Sequence, residues 1–200
     1  KEVSVMKTRS SLHVVIYTAL MAAVVYVLTL LYVPLGESRV HFGNAASMLA
    51  GLILGPWLGG LASGIGAFFF DLTHGYGVVE AIVTFLSKFL MAMAAGLVAD
   101  AYRKEGNVLD GKGHLRVVLG CVVGGLTYIA LYMLKTFIKT HYVAEVPLEG
   151  TWTPMLAKLP ATAINNGFAA VVTPVLYTAL RPALNAIGVL ERLRPAKKEE

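Results

Sequence analysis

Long apolar runs, broken only by short clusters of polar, glycine and proline residues, dominate the chain. The pattern predicts six membrane spans, at about 13–33, 44–54, 57–71, 78–102, 115–140 and 155–187. The second run is too short to cross about 30 Å of hydrocarbon upright. It therefore has to tilt, extend beyond these bounds, or lie covered by other helices. Pro160, Pro174 and Pro182 predict breaks or kinks in the sixth run. One cation, Lys88, lies inside the fourth run. Hydrocarbon cannot hydrate a charge, so Lys88 has to face a partner or a wet cavity, which makes it a candidate functional residue.

Composition points the same way. Of 200 residues, 56% are hydrophobic and 14% charged, and the mean hydropathy is +0.68. The reading is a single integral membrane domain covering 1–200, with no room for a soluble catalytic domain. The first run is longer than the core of a signal peptide and is read as a retained span. The lone Cys121 is read as a small core residue.

Lysines and arginines set the expected orientation. With both termini cytoplasmic, most basic residues fall inside, including Arg103, Lys104, Lys112 and Arg116, while Arg39, Lys139 and Lys158 fall outside. The net charge of +5 is then explained by topology and contact with anionic lipid rather than by nucleic-acid binding.

Polar residues in the runs recur at helical spacing. Glu80, Thr84 and Lys88 share one face of the fourth span, and Tyr128, Tyr132, Lys135 and Lys139 share one face of the fifth. Thr162, Asn165 and Asn166 lie at comparable depth on the sixth. Buried polar groups need partners. The three stripes should therefore converge, either as an internal network or as the lining of a pocket open to the outside. Asp71, His74, Tyr76 and Trp152 are placed in outer loops. Small residues repeat every four positions at Gly55, Gly59, Ser63 and Ala67, a spacing that suits close helix packing. The pair Ala19 and Ala23 leaves internal packing and partner docking equally open.

Metal and catalytic signatures are weak. The chain lacks H-E-x-x-H, C-x-x-C, G-x-S-x-G and a P-loop. It is read as a protein that is no enzyme, holds no metal or cofactor, and does not itself hydrolyse ATP.

These residues resemble the substrate-binding (S) components of energy-coupling factor (ECF) vitamin transporters, in the riboflavin-type branch. The resemblance is carried by Gly43-Asn44, the run Ala50 to Pro56, the G-G-x-x-S-G-I-G run from Gly59 to Gly66, Asp71-Leu72, Gly75-Tyr76 and Lys88 to Gly96. It implies an all-α, six-helix S-component fold in a prokaryotic cell membrane. It also implies a transmembrane coupling (T) subunit and two cytoplasmic ATPases as partners, and a micronutrient captured from outside. Ala19 and Ala23 match the family's alanine motif, which contacts the coupling subunit. On this reading Lys88, Asn165 and Asn166 are direct polar contacts, and Glu80, Thr84, Tyr128, Tyr132 and Lys135 line the pocket. Trp152 and Tyr76 close over an aromatic ring, and the loop from Pro34 to His41 is the gate. A pyridoxine-like or hydroxymethylpyrimidine-like ligand is the first expectation, with riboflavin and pantothenate next. The rivals are a standalone facilitator and a ligand-free membrane scaffold.

Overall fold

A computed structural model describes residues 11–35, 38–101 and 108–193. Arg103, Lys104 and Tyr102 lie outside the described residues, as does the tip of the expected gate. The first helix, α1 (Ser11–Leu30), is followed by an antiparallel hairpin of β1 (Tyr32–Leu35) and β2 (Ser38–His41). Next come α2 (Gly43–Leu54), α3 (Pro56–Thr73), α4 (Val78–Ala99) and α5 (Gly111–Ile138), whose end tightens into a π-helical turn over Lys139–Val143. A long α6 (Leu148–Ala186) and a short α7 (Val189–Leu193) complete the chain.

Several boundaries correct the reading from sequence. The expectation of an all-α chain omits the hairpin, in which Tyr32 pairs with His41 and Val33 with Val40. This pairing takes the chain out of α1 at Leu30, before the expected end at 33. The helix α5 starts at Gly111 rather than 115, because the Asp110 carboxylate caps it by accepting from the Gly113 N–H at 2.8 Å. The helix α4 stops at Ala99, where Asp100 adopts a left-handed φ of 48° and donates its N–H to Gly96 O. The outer loop expected through Pro154 is largely helical, so Trp152 stands on α6 and not in a loop. Pro154, Pro160, Pro174 and Pro182 all lie inside α6 without breaking it, as neighbouring helices allow in a membrane protein.

Four described helical segments are long and apolar enough to cross a membrane: Leu12–Leu30, Val78–Ala99, Gly111–Val143 and Leu148–Ala186. The helix α2 is different. Its 12 residues are all buried, so of the three possibilities for the short second run, cover by other helices holds. The close fit rests on glycine. A Cβ on Gly51 would lie 2.1 Å from Ala92 O, and one on Gly59 would lie 2.4 Å from Ala50 O. Backbone therefore meets backbone where α2 crosses α3 and α4. Cys121 is fully buried in this core.

The hairpin, the Gly75–Gly77 turn and the turn after α5 gather at one end of the bundle, called here the hairpin end. At the opposite, basal end, Arg181 is 1% exposed. Its Nη1 donates to Tyr177 Oη at 2.5 Å and to Ala101 O at 3.3 Å, and Tyr177 Oη donates to the same carbonyl at 3.2 Å. This buried cation ties α6 to the chain leaving α4.

Candidate functional site at the hairpin end

The polar stripe of α4 faces inward. Lys88 is 3% exposed. Its ammonium donates to Asn44 Oδ1 on α2 and sits 4.5 Å from the centroid of the Tyr128 ring on α5. A carboxamide oxygen and the face of an aromatic ring both stabilise a cation that burial would otherwise penalise. Asn44 Nδ2 in turn donates to Asn166 Oδ1 at 3.1 Å, and Asn166 Nδ2 donates to Thr162 O at 2.8 Å. A chain of polar contacts thus runs from α4 through α2 to α6.

Nearer the hairpin end, Glu80 receives two lysines, one from α5 and one from the π-helical turn that follows it. Lys135 Nζ lies 3.1 Å from Oε2 and Lys139 Nζ lies 2.6 Å from Oε1. Tyr128 and Tyr132 stack at 6.0 Å between centroids, and Lys135 stands over the Tyr132 ring at 5.0 Å. On the far wall, the backbone N–H of His41 donates to Asn165 Oδ1 at 3.3 Å, fastening β2 to α6. Gly43 N–H donates to His41 Nδ1 at 3.1 Å. A Cβ at Gly43 would lie 2.1 Å from Thr29 Oγ1, so glycine lets α1, the hairpin and α2 meet there.

These walls enclose a cavity of ≈ 160 Å³. Of the residues singled out from sequence, Lys88, Asn165, Glu80, Thr84, Tyr128, Tyr132, Lys135 and Tyr76 line it. Two do not. Asn166 is 2% exposed and turns toward Asn44 behind the cavity wall. Trp152 is 52% exposed and lines no part of the cavity. The structure adds Thr29, His41, Ala67 and Phe70 to the lining, together with Thr162 and with Asp71, which stands buried on α3 and not in an outer loop as expected. Asp71 had a legible signal: the repeat Gly55, Gly59, Ser63, Ala67 reaches Asp71 in one further step of four, so its carboxylate continues the packed face of α3 into the cavity. Thr162 belongs to the α6 stripe already noted. Thr29, near the end of α1, had no local signal, and His41, the last residue of the expected gate loop, enters the lining from β2.

The lining offers two lysine ammonium groups, two carboxylates, hydroxyls, a carboxamide, the imidazole of His41 and the rings of one phenylalanine and three tyrosines. Such a set holds a planar ring through the aromatic faces and orients its polar substituents. Among the described residues no group of three or more His, Cys, Asp or Glu gathers as a metal site.

The alanine face of α1 divides in two. Ala22 is buried, and a Cβ on Gly66 of α3 would lie 2.4 Å from its carbonyl. Ala19 and Ala23 are exposed and border an apolar groove of ≈ 480 Å³ shared with Ile65, Gly66 and Phe69.

Comparison with known proteins follows the same lines. No curated protein matches the chain. Among solved structures, the S component of a bacterial ECF transporter superposes with a TM-score of 0.54 at 20% identity, covering 86% of this chain and 96% of that one. That likeness is one of fold. The family model described as ECF-type riboflavin transporter, S component, matches residues 9–182. Since the match takes in nearly the whole bundle, the chain belongs to the family of ECF-type riboflavin transporter S components.

Proposed function

We propose that this S component captures a small hydroxylated heterocycle, pyridoxine-like or hydroxymethylpyrimidine-like, from outside the cell and carries it inward. S components are multi-pass membrane subunits of transporters, not enzymes, and they work with a transmembrane coupling subunit and ATPases. Here the termini lie in the cytoplasm, the hairpin end faces outward, and the Pro34–His41 segment gates the cavity. The protein topples in the membrane to release its ligand, and two partner ATPases supply the power. Ala19 and Ala23 dock on the coupling subunit.

One observation carries the ligand reading: three polar stripes from three helices meet around a single cavity with the buried ammonium of Lys88 in its wall. Its ≈ 160 Å³ resembles the roughly 150 Å³ that holds one benzene ring in an engineered protein cavity. A single ring with hydroxyl groups suits that volume and lining. Lys88 and Asn165 contact the ligand, Glu80, Thr84, Tyr128, Tyr132 and Lys135 surround it, and Tyr76 closes over it. A second reading, riboflavin, is favoured by the description of the family model. It requires the cavity to widen around a tricyclic ring.

Thermal-shift titration of the purified protein with pyridoxine, hydroxymethylpyrimidine, riboflavin and pantothenate separates these readings. A ligand at a hundred times its Kd stabilises by about 2.7 kcal/mol. Lys88→Met should lose the ligand-induced shift and weaken binding by about a hundredfold, the scale of a lost hydrogen bond to a charged group. Stabilisation by riboflavin alone would transfer the assignment to the second reading, and indifference to all four would favour a ligand-free scaffold. Ala19→Trp or Ala23→Trp should abolish uptake in cells and spare binding. Unchanged uptake would mark a standalone facilitator.

A further inference from the structure

A second chamber of ≈ 400 Å³ adjoins the cavity at the hairpin end and shares Tyr76, Glu80, Tyr132 and Lys135 with it. What it adds is basic and hydroxylic: Lys139, Lys158 and Thr140. Glu80 is the one carboxylate in its lining, against the three ammonium groups of Lys135, Lys139 and Lys158. Both oxygens of Glu80 are already engaged, one by Lys135 and one by Lys139. Lys158 approaches from α6 and has no acidic partner among the described residues. Glu145 and Glu149, between or near the ends of α5 and α6, line neither chamber. The chamber therefore holds an excess of two positive charges beside a low-dielectric bundle, where a neutral occupant leaves them repelling one another.

We infer that the two chambers form one bipartite site, in which the first holds the ring of the captured molecule and the second holds an anionic arm, a carboxylate or a phosphate ester. The inference rests on the capture reading and deepens it by naming a substrate class. Compact ammonium groups on flexible stems suit such an arm, since they converge on an anion without fixed planar geometry. The phosphate of a lipid has the same chemistry. An apolar groove along α4 and α5 also touches Glu80, Lys135 and Lys139, so the test has to distinguish the two sources.

The full chain in phosphatidylcholine nanodiscs is titrated calorimetrically with matched pairs: pyridoxine and its 5′-phosphate, riboflavin and its 5′-phosphate, pantothenol and pantothenate. In whichever pair binds, the acidic member should bind about tenfold tighter than the neutral one. Lys158→Gln, which removes one of the two excess charges, should reduce that preference and leave the neutral member's affinity unchanged. Equal affinity for both members overturns the inference, as does a preference that persists in the Lys139→Gln, Lys158→Gln double variant. Native mass spectrometry of protein in phosphatidylglycerol completes the test: lipid retained by wild type and lost in Lys158→Gln would assign the chamber to a headgroup instead. Binding of neutral members alone removes the anionic arm and keeps the capture site, whereas no binding in any pair removes both.

Discussion

The helix pair α4 and α5 behaves differently at its two ends. Toward the basal end, a Cβ on Gly120 would lie 2.6 Å from Ala95 O and one on Gly124 would lie 2.9 Å from Met91 O. The helices touch there through bare backbone. Toward the hairpin end the same faces carry Tyr128, Tyr132 and Lys135 against Thr84 and Glu80, and these long side chains hold the helices apart. One pair of helices is thus solid at one end and hollow at the other, and residue size along the two faces sets where the change occurs. Packing is strictest where no ligand is proposed to bind, and polar groups concentrate where the bundle opens.

The most severe way to break this contrast is to widen the solid end. Gly51→Val puts side-chain atoms where even a Cβ would lie 2.1 Å from Ala92 O. Because the obstacle is backbone, the loss should reach the upper end of overpacking penalties, about 3 kcal/mol or more. The variant should fail to give a monodisperse peak on size-exclusion chromatography. Recovery of a wild-type melting temperature would show that the seam tolerates separation.

A milder change at the basal end sharpens the division between stability and binding. Tyr177→Phe deletes the hydroxyl that donates to Ala101 O and accepts from Arg181. It should cost about 1–2 kcal/mol of stability, as expected for a lost buried hydrogen bond. Calorimetric affinity for the ligand should stay at the wild-type value, and a drop in affinity would show that the two ends are coupled. The smallest effect belongs to Trp152→Ala. This side chain is 52% exposed and lines no part of the cavity, so stability should change by less than about 0.5 kcal/mol and affinity not at all. A tenfold loss of affinity would restore to Trp152 the closing role expected from sequence.

The hollow end was the more legible of the two. A charge inside an apolar run has few physical options, and the spacing of four from Glu80 to Lys88 fixes a face of a helix before any fold is known. Asn165 and Asn166 show the limit of that argument. Neighbours on a helix point about 100° apart, so one lines the cavity and the other turns to Asn44. Sequence spacing alone does not choose between them. Trp152 was misplaced because Pro154 reads as a boundary, whereas α6 begins at Leu148 and runs on through it, as the packed helices of a membrane protein allow. The hairpin escaped notice because its strands have four residues each, too few for an alternating pattern to stand out beside a long apolar helix.

The backbone seam around Gly51, Gly59 and Gly96 also limits how a bound molecule can leave. A Cβ on Gly96 would lie 2.7 Å from Gly51 O, so the barrier toward the basal end contains main-chain atoms. A barrier of side chains opens when a rotamer flips. One made of main chain has no rotamer to flip, and it parts only if whole helices separate at the cost of their closest contacts. Among the described residues this seam offers no cheap back door: on the proposed capture reading, cargo taken in at the hairpin end leaves by the same mouth unless the helices move as bodies or the molecule turns that mouth to face another compartment.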